Sequence, residues 1–208
     1  MDRIWERIRE TVEKNNGFIK TSQIEELGIS RPMVRKYKDL GYLEQVRKGL
    51  YVLTEEIADE YALLQTQSAK AIFSYGTALF LWGMSDRTPH VLDITLPHGS
   101  NVSRIRRDNP NLRCHYVQPD VYGMGITETR SPQGAVVKLY DRERCICDLI
   151  RDKTQVDVQL YTQAIKEYFK MKTPEQPKSF IRSMAAKKNL RVQEVWNQRK
   201  KSNGYGCC

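Results

Sequence analysis

The sequence predicts an α+β protein, an N-terminal winged helix-turn-helix followed by a mixed α/β domain. Two observations predict the first part: three short amphipathic segments separated by Gly turns, and a basic strand–turn–strand pattern directly after them. A third predicts the second part: beyond residue 54, strand-like runs occupy the middle of the chain and helical periodicities flank them. With 208 residues and 40% apolar composition, the chain can bury a substantial core. The expected domains are 1–53, 54–201 and a short tail at 202–208, the tail lacking any apolar pattern.

The first helix is read from Ile4, Trp5, Ile8 and Val12, which recur at helical spacing and stop at Asn15-Asn16-Gly17. Phe18-Ile19 is a short apolar step. Thr21 or Ser22 offers an N-cap, with Ser22 and Glu25 at capping-box spacing, for a short helix whose buried face is Ile24 and Leu27, closed by Gly28. Ser30 is placed to cap a third helix with Pro32 in its first turn, where a missing N–H costs nothing. Val34, Tyr37 and Leu40 form its expected apolar face. Tyr42–Val46 then reads as a strand, Arg47-Lys48-Gly49 as a turn, and Leu50–Leu53 as a second strand.

The segment from Glu55 to about Gln67, with Ile57, Tyr61 and Leu64 as its stripe, reads as a helix leading into the second domain. Ser74–Gly83 reads as a buried helix, and Val91–Leu96 and Cys114–Gln118 as strands. Ile126–Thr129 and Ala135–Leu139 flank a hairpin turn, Arg130-Ser131-Pro132-Gln133-Gly134. Helices are expected at about Asp141–Arg151, Val158–Lys170, Pro177–Lys187 and Val192–Lys200.

The formal charge of +9 is unevenly spread. Residues 1–53 sum to +3, residues 54–177 to −1 and residues 178–208 to +7, so the basic character sits at the two ends. Such a distribution suits a polyanionic partner reached by the terminal parts, although a basic C-terminal helix is equally read as a solvated face. Six cations, Arg31, Arg35, Lys36, Lys38, Arg47 and Lys48, fall within eighteen residues on the third helix and the wing. A major groove admits an α-helix whose long donors reach base edges and phosphates. Arg31 and Arg35, four apart, share a face with Lys38 and are assigned to base edges. Lys36 and Lys38 are placed nearer phosphates, and Arg47 and Lys48 at a wing tip reaching the minor groove or adjacent backbone. The competing reading is a protein-docking module whose charges are solvated.

The rest of the sequence argues against chemistry. It has no Gly-rich phosphate loop, no nucleophile elbow and no metalloprotease helix motif, and Asp93 and Lys138 lack the close carboxylates a nuclease site needs. Asp93 reads as a surface aspartate on a strand. The five cysteines, Cys114, Cys145, Cys147, Cys207 and Cys208, match neither a disulfide framework nor a zinc pattern, and His90, His98 and His115 are scattered. Reduced thiols, no metal and no cofactor are the expectation, with Cys145 packing as a small apolar residue. Ser103-Arg104-Ile105-Arg106-Arg107 is a basic cluster read as a loop, either a second phosphate contact or nothing. No apolar run is long enough to cross a bilayer, and the start lacks a signal-peptide stretch, so a cytoplasmic protein is expected.

Several segments together resemble the AbiEi-type antitoxins of abortive phage infection systems. They are Gly-Ile-Ser-Arg at 28–31, Arg-Lys-Gly-Leu-Tyr-Val-Leu at 47–53, Ala-Ile-Phe-Ser at 71–74, Thr-Ala-Leu-Phe-Leu at 77–81 and Gly83. Ser-Asp-Arg-Thr-Pro at 85–89 and Val-Lys-Leu-Tyr-Asp-Arg-Glu-Arg-Cys-Ile-Cys-Asp-Leu-Ile at 137–150 complete the pattern. The resemblance implies a winged helix that represses its own promoter at repeated half-sites in double-stranded DNA. It also implies a C-terminal domain that neutralises a toxin of the nucleotidyltransferase class. One departure is plain: relatives often carry His-Glu after the serine, where Tyr75 and Gly76 stand here, so no role of that pair carries over. The alternative class is an enzyme, a nuclease or nucleotidyl-transfer domain delivered to DNA by the winged helix.

Overall fold

The computed structural model describes residues 2–171; the helices expected at 177–187 and 192–200, the tail with Cys207 and Cys208, and most of the C-terminal charge lie outside these. The described residues divide into two compact units, 2–66 with Arg130–Val137, and Gln67–Thr129 with 138–171.

In the first unit, α1 (Asp2–Lys14), β1 (Ile19–Lys20), α2 (Thr21–Glu26) and α3 (Arg31–Asp39) precede β2 (Leu43–Arg47), β3 (Leu50–Leu53) and α4 (Glu60–Gln67, of which Gln67 falls in the other unit). The three strands form an antiparallel sheet in the order β1-β3-β2. Ile8 and Val12 from α1, Ile24 from α2, Val34 and Tyr37 from α3, and Leu43 and Leu53 from the sheet form one buried apolar cluster. Such burial is worth about 1.5–3 kcal/mol per large side chain, so this face holds the helices on the sheet. Trp5 fixes α1 to the inner edge of α3, its ring 6.0 Å from Tyr37 and 5.3 Å from Tyr42.

Four local expectations are corrected. The start of α2 is set at Lys20, not Thr21 or Ser22: the Lys20 N–H donates to Gln23 Oε1 at 2.9 Å, the position from which a side chain can reach back. Ser30 is the N-cap of α3, but its side chain makes no capping hydrogen bond. Leu40 is 57% exposed because α3 ends at Asp39, and Gly41, at φ +75°, carries the chain away. The fourth helix begins at Glu60, leaving Ile57 85% exposed. Its start is set instead by buried Asp59, whose carboxylate accepts the N–H groups of Tyr61 at 2.9 Å and Ala62 at 3.2 Å and the Ser131 hydroxyl.

The second unit contains β4 (Ile72–Phe73), α5 (Tyr75–Leu81), β5 (Leu92–Pro97), α6 (Ser103–Asp108), β6 (Leu112–Val117), α7 (Pro119–Tyr122), α8 (Arg142–Arg151) and α9 (Val158–Met171). With β7 (Ile126–Arg130) and β8 (Val136–Tyr140), the strands form a five-stranded sheet in the order β6-β5-β4-β8-β7. The central strand β4 is only two residues long, antiparallel to β5 and parallel to β8. The cluster at 103–107 is a helix rather than a loop, since Val102 and Ile105 are buried and seat it on the sheet. Cys145 and Cys147 are buried free thiols, and Cys114 is a partly buried one. No helix among the described residues is long and apolar enough to cross a membrane.

The second unit buries charge. Arg144, fully buried on α8, donates from Nε to Asp148 Oδ2 at 2.8 Å and from Nη1 to the carbonyls of Val121 and Met124 at 2.7 and 2.9 Å. Arg151 reaches the other Asp148 oxygen at 3.1 Å. Tyr75 donates its hydroxyl proton to Asp152, accepts from Arg151 at 2.7 Å, and lies with its ring 4.0 Å from that of His115. This lattice holds Tyr75 at φ +43°, a conformation costly for a residue with a Cβ.

Candidate nucleic-acid interface

The helix-turn-helix of the first unit is built by a turn that only glycine fits comfortably. Gly28 lies at φ +85° and donates to the Glu25 carbonyl at 2.9 Å, while Ile29 is buried and anchors the turn. The angle between α2 and α3 is thereby set, and the packing of Val34 and Tyr37 turns the remainder of α3 outward.

Arg31, Arg35, Lys36 and Lys38 are all exposed. Positions 31, 35 and 38 recur on one helical stripe, and these three side chains line a single groove of about 300 Å³ with Thr21, Val34, Gln45 and Tyr51. Lys36 is not among the lining residues and faces another direction. Lys38 Nζ donates to Gln45 Oε1 at 3.4 Å, which ties the helix to β2. Arg31 is held by Glu25 at 2.6 Å, and its pKa is raised by that hydrogen bond and by the carboxylate charge.

The wing divides its two cations. Register between β2 and β3 shifts between Gln45 and Arg47, a bulge that turns the strand before its tip. Arg47 is half-buried, with guanidinium Nη1 shielded from solvent, whereas Lys48 is exposed at the turn and Gly49 takes φ +75°. Lys48 is thus the accessible cation of the wing. Sequence reading did not single out Thr21, Gln45 or Tyr51 as groove residues; the alternation of β2 and β3 was the available signal, since Gln45 and Tyr51 are paired across the ladder.

In the second unit Asp93 is not a surface residue. It is 5% exposed, since the parallel in-register pairing of β5 and β6 puts Arg113 and His115 on its face of the sheet. His115 Nε2 is 2.9 Å and Arg113 Nη1 3.7 Å from Asp93 Oδ1, and the Asp93 N–H donates to Thr77 Oγ1 at 2.8 Å. A Cβ at Gly76 would meet Asp93 Oδ2 at 3.2 Å and Leu160 Cδ2 at 3.5 Å, so the Tyr75-Gly76 departure is matched to this packing. Lys138 lies on the exposed side of β8, whose Val137 and Leu139 are buried. Among the described residues no three His, Cys, Asp or Glu side chains are grouped as a metal site would need.

Residues 6–54 match the family described as "Transcriptional regulator, AbiEi antitoxin". Over these residues the winged helix is similar to that of AbiEi-type transcriptional regulators. The match runs from within α1 to just past β3 and contains all six cations of the helix and wing. In fold, the chain is similar to the solved structure titled "Crystal structure of RV2827C protein from Mycobacterium tuberculosis", with a TM-score of 0.62 at 13% identity. That similarity spans 97% of this chain and 78% of the other, and at such identity it speaks to fold alone. No curated protein matches the chain in sequence.

Proposed function

We propose that the protein is an AbiEi-type regulator, which represses its own promoter by laying α3 in the major groove and the wing along the flanking backbone. Arg31, Arg35, Lys36, Lys38, Arg47 and Lys48 are the contacts, and residues 1–53 the DNA-binding domain. The observation that carries this reading is the groove in which Arg31, Arg35 and Lys38 converge beside Gln45 and Tyr51. Guanidinium groups give bidentate contacts to guanine, and a Gln can do so to adenine, whereas Lys48 supplies a point charge to phosphate. The half-burial of Arg47 supports a lesser role for it than for Lys48.

The remainder, 54–201, acts as the antitoxin part of a cytoplasmic protein and performs no catalysis. It neutralises a nucleotidyltransferase-type toxin encoded beside it. The family match over the winged helix and the resemblance of 71–89 and 137–150 support this.

A reporter driven by the gene's own promoter tests the first half. Repression by the wild type and its loss with Arg35→Ala/Lys48→Ala is the expected result, and full repression by that variant contradicts it. Co-expression with the neighbouring gene tests the second: growth arrest relieved by residues 1–208 is expected, and a neighbour that is not nucleotidyltransferase-like, or arrest without relief, overturns it.

A further inference from the structure

The second unit carries a basic and aromatic surface distinct from the winged helix. Between β5 and β6 the chain crosses through α6, which buries Val102 and Ile105 and leaves Arg104, Arg106 and Arg107 exposed. Three arginines within four residues are conspicuous where the surrounding sequence, 54–177, is nearly neutral. Arg107 is 3.4 Å from its neighbour Asp108. Arg106 lies near Cys114 and Tyr116 of the edge strand, and that proximity raises its pKa.

The register of the sheet explains this grouping. Ile94 pairs with Cys114 and Leu96 with Tyr116, so Cys114 and Tyr116 point to one side of the sheet, opposite the side shared by Asp93, Arg113 and His115. Tyr116 is 36% exposed on a strand at the sheet's edge, and exposed His98, just after β5, lies beside it with ring centroids 6.1 Å apart and planes within 26°. Two near-parallel exposed rings with the Arg106 guanidinium close to one of them, and two further exposed arginines on the same short helix, combine the two elements that hold single nucleic-acid strands: a flat face for a base and cations for the phosphates.

The geometry points to a second nucleic-acid site on α6 and β6, which takes RNA with unpaired bases: phosphates meet Arg104, Arg106 and Arg107, and a base stacks on Tyr116 and His98. An unpaired base offers the free π-face that a duplex keeps within its own stack, and RNA loops and ends are where such bases are displayed. An acidic peptide would use the arginines and leave the rings idle.

The test uses the full chain carrying Arg35→Ala/Lys48→Ala, so that it does not depend on the winged helix, and titrates a fluorescein-labelled oligouridine. Binding is expected to persist in this background. Adding Arg104→Ala/Arg106→Ala/Arg107→Ala should weaken it at least tenfold and reduce the log–log salt slope by roughly two, at about 0.7 per phosphate on a single strand. Tyr116→Ala should weaken it about 5- to 100-fold with the slope unchanged, while Tyr116→Phe retains it. His98→Ala gives a second reading of the stacking platform if Tyr116→Ala does not fold. Absence of oligouridine binding, unchanged affinity in a folded Tyr116→Ala protein, equal affinity for oligothymidine, or displacement by polyglutamate would each overturn the proposal.

Discussion

The two units solve the same problem in opposite ways. The first keeps an apolar cluster inside and puts its cations on the outside of α3 and at the wing. The second places Arg144, Asp148 and Asp93 within its packing, Arg144 hydrogen-bonded to Asp148 and Asp93 to His115. Of the first unit's cations Arg35 and Lys48 stand exposed, Arg31 is paired with surface Glu25 and Lys38 is tied to Gln45, whereas the charges inside the second unit are committed to buried partners. A buried pair returns its desolvation cost only when every partner is in place, so it specifies an arrangement more than it stabilises one.

The largest effect that would test this contrast is at the buried pair. Asp148→Ala leaves the Arg144 guanidinium without its carboxylate and should cost about 3–5 kcal/mol by urea denaturation, whereas Arg144→Met/Asp148→Leu should cost less, its remaining loss coming from the Val121 and Met124 carbonyls and from Arg151 left without their partners. A small loss for the single variant would show the pair to be incidental. In the first unit, Ile24→Ala opens a cavity in an apolar core and should cost about 2–5 kcal/mol, with no rescue available from a charge partner.

Alkaline pH separates the units next. Burial, then the nearby carboxylates Glu60 and Asp59, pushes the Tyr61 phenol up to about 12. In the second unit Tyr75, Tyr140 and Tyr168 are raised further, in each case chiefly by burial. A phenol whose folded pKa lies above its unfolded value near 10 stabilises the fold fully below pH 10 and withdraws that contribution as pH climbs to 12 and beyond. Phenolate absorbance should therefore rise in an early phase from exposed tyrosines and a late one coincident with loss of the circular dichroism signal. A single phase complete before unfolding would contradict the assigned burial. At the small end, Ile57→Ser should leave stability within about 0.5 kcal/mol, because Ile57 is outside α4 and 85% exposed.

The same contrast explains what could be read without coordinates. In the first unit, apolar period and Gly turns agree at every step, and α1, α2, α3 and the hairpin lie where Val12, Ile24, Tyr37 and Leu50–Leu53 place them. Periodicity failed there only at element ends, where Leu40 and Ile57 continue a stripe that the backbone has already left. In the second unit the central strand is two residues long, too short for any alternation to register, and α6 is a single short helix with one buried apolar position inside it. Asp93 was illegible for a different reason. Its burial depends on a parallel neighbour twenty residues on, whose Arg113 and His115 compensate it, and no local pattern announces such a partner. The cations proposed to contact DNA stand out in the sequence by type and spacing, but the bulge that half-buries Arg47 and leaves Lys48 exposed is a matter of strand register.

The most direct measurement of the central claim is a titration of the promoter duplex with wild-type protein and with Arg35→Ala/Lys48→Ala across a range of salt. The account predicts a linear log–log decline for the wild type. The variant should bind at least tenfold more weakly, with a slope shallower by roughly one, about 0.9 for the phosphate that Lys48 no longer neutralises, and unfold at the same urea concentration. Equal affinity and equal slope in the two proteins would contradict it.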